Sequence, residues 1–156
     1  MQLATPKKIE RMIEGVPRQK LMRRPAPGKW SVGEIIAHLA DDELVGAYRL
    51  RKILEEPGGA IEAFDQDKWA ETGKYAKRDP KTSLELFRAL RKANLALLKL
   101  SDAAQWKLYG IHAERGIESI EKITEHFACH DLNHLYQIER ILGKAIPQAN
   151  RKTHRK

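Results

Sequence analysis

Residues 118–143 read ESIEKITEHFACHDLNHLYQIERILG, and the pattern in this stretch decides the fold. Ile123, Phe127, His130, His134, Gln137 and Ile141 follow one another at spacings of 4, 3, 4, 3 and 4. That is the repeat of a helix laying one face against its neighbours. Two histidines and a glutamine stand where a bundle helix would carry apolar residues, and burying them costs free energy unless something satisfies their polar atoms. Residues four apart lie one turn above each other, so the His130 and His134 imidazoles can converge on one metal ion.

Working outward, three further stretches show the same periodicity, which predicts helices over 5–23, 31–56, 81–100 and 118–143. Pro25-Ala26-Pro27-Gly28 separates the first two, and Ser31 with Glu34 three residues on forms a capping box for the second. Pro57-Gly58-Gly59 closes the second, Asp79-Pro80 caps the third, and Pro147 ends the fourth. Nothing reads as a strand ladder, and no internal repeat points to a solenoid. The expectation is an all-α four-helix bundle over residues 1–146, with a basic, disordered tail over 147–156. The 57–80 link is long for a compact bundle, so its Phe64, Trp69 and Tyr75 are expected to fold back over the bundle, covering the core or, as the second choice, walling a pocket.

A chain of 156 residues, 42% hydrophobic, is long enough for one domain and its core. No run of apolar residues is long enough for a membrane helix, and the first fifteen residues lack the apolar stretch of a signal peptide, so a cytoplasmic protein is expected. One cysteine, Cys129, excludes an internal disulfide framework, and it reads as a small core residue. The formal charge of +8 sits at the ends: residues 1–30 carry 8 basic and 2 acidic groups, residues 140–156 carry 6 basic and none acidic, and the body between them is mildly acidic. Without aromatic interleaving or a recognition motif, this argues against nucleic acid as the partner.

A third histidine strengthens the metal reading. His38 stands among Ile35, Ile36, Leu39 and Val45 of the second helix, near its apolar stripe. If the second and fourth helices are neighbours, His38, His130 and His134 meet in the core and leave a coordination position open. His126, four residues before His130, is a reserve ligand lying off the seam. Gln137 and Glu34 are candidates to orient the imidazoles, although Glu34 also has its capping role. His112, in the turn before the fourth helix, is a candidate to line the pocket. Asp131 should point about 100° away from His130 and be solvated or paired. Zinc or nickel suits three imidazoles best, with iron, cobalt, manganese and copper also open.

These residues resemble the DinB-like superfamily, the DinB/YfiT-like candidate metalloenzymes. The resemblance is carried by Trp30-Ser31-Val32-Gly33-Glu34-Ile35-Ile36-Ala37-His38-Leu39, by Gly116 leading into the last helix, and by His130-Asp131-Leu132-Asn133-His134-Leu135-Tyr136-Gln137-Ile138. It runs from the first helix to Leu142. It implies an up-down-down-up bundle with a long crossover between the second and third helices, frequent homodimers, and a metal triad falling on His38, His130 and His134. It also implies thiol-dependent transfer or isomerisation with low-molecular-weight thiols such as bacillithiol or mycothiol, or hydrolysis. Three functions are therefore ranked: a metal-dependent enzyme acting on a small electrophile, then a non-catalytic metal-binding bundle, then a nucleic-acid accessory protein.

Overall fold

The protein is described from a computed structural model covering residues 3–146. Pro147, His154 and the 147–156 tail lie outside the described residues. Four helical segments form the framework: α1 (Thr5–Ile13), α3 (Val32–Glu55), α5 (Pro80–Leu100) and α7 (Ile120–Leu142). The caps act as their sequences predict. Ser31 Oγ accepts from the Glu34 amide and the Glu34 carboxylate accepts from the Ser31 amide, closing the box that starts α3. Asp79 accepts from the Thr82 amide ahead of α5, and Ser119 accepts from the Lys122 amide ahead of α7.

The first predicted helix is two. The chain leaves α1 at Ile13 and re-forms α2 over Arg18–Met22, because Pro17 has no amide proton to donate and disfavours helical backbone at Val16. The 57–80 link is also structured. It holds β1 (Ala60–Ile61), α4 (Gln66–Thr72), capped by Asp65, and a 3₁₀ turn over Tyr75–Lys77. Tyr75 is fully buried and its hydroxyl donates to Asp41 at 2.9 Å, while Arg78 pairs with the same carboxylate at 2.8 Å. The link is thereby pinned to the middle of α3.

The all-α expectation is corrected by a small sheet of order β1-β2-β3. After α6 (Ala103–Lys107), β2 (Tyr109–His112) pairs antiparallel with β3 (Gly116–Ser119) and parallel with β1. Residues 118 and 119 thus belong to a strand, and α7 begins at Ile120. Gly116 has φ +71, a left-handed backbone that closes the three-residue hairpin connection and that a side chain would strain.

Two apolar clusters form the core. One joins Ile9, Met12, Ile35, Ile36, Phe87, Leu135 and Ile138 across α1, α3, α5 and α7. The other joins Leu50, Ile53, Ile61, Leu98, Ile120 and Phe127 at the sheet end. The stretch between them is polar: buried Glu43, Arg91, Asn94 and Asp131 lie at the same level of α3, α5 and α7.

Candidate metal centre

The site lies where α3 passes α7. Gly46 allows the approach: a Cβ at that position would stand 2.6 Å from the Phe127 ring, so the two helices close on each other only without a side chain there. His38 then faces His130 and His134. His38 Nε2 is 3.0 Å from His130 Nε2, which is 3.1 Å from His134 Nε2. One ligand atom from each ring lies within 4.8 Å of the others.

The protonation of these rings follows from burial. Desolvation, aided by its two histidine neighbours, pushes the His38 pKa down to about 2. Burial likewise pushes His130 and His134 down to about 4. All three are neutral imidazoles near pH 7. Gln137 Oε1 lies 2.7 Å from His134 Nδ1, which must donate to it, so His134 Nε2 carries a bare lone pair. Three ring nitrogens facing one another at hydrogen-bond distance fit a shared cation, the donor set and spacing that a divalent transition metal takes.

The surroundings divide into supports and walls. Asp42 Oδ2 lies 3.4 Å from His130 Nδ1, outside hydrogen-bond alignment, and burial raises the Asp42 pKa to about 6. The Trp30 ring packs against His38 at 4.9 Å between centroids. His38 and His130 open onto a cavity of about 490 Å³ walled by Asp42, Arg49, Phe64 and His112. His130 and His134 also border a wider groove of about 840 Å³ with Trp30 and Gln137. Phe64 is held in that wall by Trp69, their rings 4.9 Å apart.

Glu34 takes the capping role read from the sequence and is also held by Arg24 rather than by His38. Other sequence expectations are placed differently. His126 is exposed and stacks beside His130 at 6.1 Å, outside the convergence of the three rings. His112 sits in β2 rather than in a turn and is buried against the cavity. Cys129 is exposed, not a core residue. The buried stripe of α7 runs Ile123, Phe127, Asp131, His134, Leu135, Ile138 and Leu142, which turns Gln137 outward. A 3.6-residue turn drifts from a 3.5-residue seam, and Asp131 is drawn inward by Arg91, 2.7 Å away. Asp42 and Arg49 were missed. Asp42 stands one helical turn beyond His38, a spacing that could have revealed it, whereas Arg49 gave no local signal.

Residues 3–138 match the DinB superfamily. A candidate metal-dependent hydrolase of Oceanobacillus iheyensis is 29% identical over 133 residues, covering 85% of this chain and 77% of that protein. YfiT of Bacillus subtilis, named in the same terms, is 26% identical over 137 residues, covering 87% and 77%. The solved YfiT structure, described as an unusual four-helix bundle, superposes with a TM-score of 0.78 over 92% of this chain and 84% of that one. A mycothiol-dependent maleylpyruvate isomerase shares the fold at a TM-score of 0.66 and 13% identity, covering 93% of this chain and 62% of that one.

Proposed function

The chain belongs to the DinB superfamily, and on that premise we propose that it is a metal-dependent enzyme holding one divalent ion on His38, His130 and His134. The observation that carries this reading is the meeting of three neutral ring nitrogens, from buried His38 and His134 and half-buried His130, at 3.0 and 3.1 Å beside an open cavity. The proposed ion is zinc or nickel, with iron, cobalt, manganese and copper competing according to supply. The substrate is a small electrophile, attacked by water or by a low-molecular-weight thiol. Water is supported by relatives named as candidate metal-dependent hydrolases, and the thiol by the fold shared with a mycothiol-dependent isomerase.

When bound, a doubly charged ion on three neutral imidazoles lowers the pKa of a water or thiol in its open position and so supplies a nucleophile at neutral pH. The chain's own residues prepare that position. Gln137 keeps the His134 proton on Nδ1, leaving Nε2 free to ligate. Trp30 packs on the His38 ring, and Asp42 adds a carboxylate close to His130 Nδ1. Phe64 lines the cavity in front of that position. The alternative of a non-catalytic metal-binding bundle predicts an ion closed off from solvent or loosely held; the cavity at His38 and His130 argues against the closed form, and metal affinity tests the loose one.

The test is the metal content of untagged protein beside a His130→Ala/His134→Ala variant. Near one equivalent in the parent and almost none in the variant is the expected result. No metal in the parent, with no thermal stabilisation by zinc, nickel or manganese, overturns the reading.

A further inference from the structure

The cavity in front of the histidines continues along α3 to polar side chains that the chemistry above does not use. Arg49 follows His38 by 11 residues on the same helix, a rise of about 16 Å along the axis, and both line the cavity. Arg49 is 5% exposed. Its Nε and Nη2 donate to the Glu62 carbonyl, yet no carboxylate oxygen of any described residue lies within 4 Å of the guanidinium. Arg115 opposes its charge and Asp42, Glu118 and Glu114 favour it, all from farther away, and Glu118 is held by two bonds from Arg115, at 2.7 and 2.8 Å.

His112 defines what Arg49 faces. The backbone amides of Glu114 and Arg115 both point at His112 Nδ1, at 3.2 and 3.3 Å. Backbone hydrogens cannot rotate away, so Nδ1 holds the lone pair and the neutral ring carries its proton on Nε2. That Nε2 lies 3.2 Å from Arg49 Nη2. One Nη2 hydrogen goes to the Glu62 carbonyl; the other faces the His112 Nε2–H, and an acceptor placed beside the pair would take both. A carboxylate fits: it is planar, accepts from a guanidinium and a second donor together, and carries a single charge. The nearby Asp42, Glu114 and Glu118 oppose a dianion such as phosphate.

We propose that Arg49 and His112 form a receptor for a carboxylate group at the end of the cavity away from the three histidines. A substrate or thiol carrying a carboxylate is thereby held with its other end directed toward His38 and His130. The assignment of that anion to a substrate rests on the metal-dependent reading above; the receptor itself does not.

The experiment titrates the full-length protein, zinc-loaded and chelator-treated, with propionate, its neutral isostere propionamide, and inorganic phosphate. Imidazole and backbone nitrogen resonances are followed by NMR. Without ligand, the His112 proton is expected on Nε2. Propionate is expected to bind saturably, shift that Nε2–H, and bind at least tenfold more tightly than propionamide or phosphate. Arg49→Met is expected to weaken propionate at least tenfold. If that variant does not fold, Arg49→Lys, which keeps the charge and loses the planar fork, is expected to weaken it several-fold. A His112 proton on Nδ1, propionate binding no better than propionamide, or undiminished binding in a folded variant each overturns the proposal. Zinc uptake on the same samples separates the two readings. Propionate binding in a protein that takes up no zinc leaves the receptor and removes the metal centre, and the reverse result removes only the receptor.

Discussion

At the scale of single residues, the site depends on which ring nitrogen bears each proton. His134 has its answer built in, since Gln137 Oε1 receives Nδ1–H at 2.7 Å. His38 has no such partner: its buried Nδ1 makes no hydrogen bond, and its ring is held by packing against Trp30. The two histidines should therefore respond differently to loss of their support. Gln137→Leu removes the acceptor while keeping most of the side-chain volume, and Gln137 is exposed, so the fold should survive. Metal affinity is expected to fall by about 10- to 100-fold, the usual loss when a partner orienting a ligand is removed. Competition with a chromophoric zinc chelator measures it, and unchanged affinity would show that this bond does not select the ligating tautomer.

At the scale of elements, α3, α5 and α7 are tied by a buried polar cluster rather than by apolar packing alone. Arg91 of α5, 1% exposed, binds Asp131 of α7 at 2.7 and 2.9 Å and Glu43 of α3 at 2.8 Å. Asn94 donates to Glu43, and Thr5 donates to Asp131. Arg91→Met leaves two carboxylates buried without their cation and is expected to cost about 3–5 kcal/mol. Urea denaturation at pH 7 reads that loss, and adding Glu43→Gln and Asp131→Asn should recover part of it. A loss under about 1 kcal/mol would mean that water reaches the carboxylates. This cluster also marks the limit of what the sequence reveals. The long helices α3, α5 and α7 are legible to within two residues because their caps and periodicity are local, as Ser31 with Glu34 and Asp79 with Pro80 show. The three histidines are legible because two share a helix face and the third stands on an apolar stripe. The two-residue strand β1 exists only through pairing far along the chain, as Ile61 pairs with His112, and β2 and β3 are four residues each, too short for a periodic signal. Asp131 reads as solvated or paired, and only the fold shows that its partner is Arg91, 40 positions earlier, and that the pair is buried; Arg49 gains meaning only from His112, 63 positions later.

At the scale of the whole molecule, the histidine cluster joins segments that are far apart in sequence. His38 lies 92 residues before His130, and only the folded chain brings them together. An ion that binds this arrangement and not the unfolded chain adds stability in proportion to its excess over Kd, about 2.7 kcal/mol at one hundred times Kd. In a domain of this size each kcal/mol moves the melting temperature by about 2–4 °C. Zinc or nickel loading is therefore expected to raise Tm by roughly 5–10 °C, and EDTA should reverse the gain. Differential scanning calorimetry measures both. His38→Ala removes the α3 leg and His134→Ala one of the two α7 legs, so each should abolish most of the metal-dependent shift while leaving the apolar clusters at either end of the bundle in place. If both variants kept the full shift, the stabilising ion would be bound elsewhere on the chain. If only His134→Ala lost it, the ion would be held by α7 alone and would not couple the two helices.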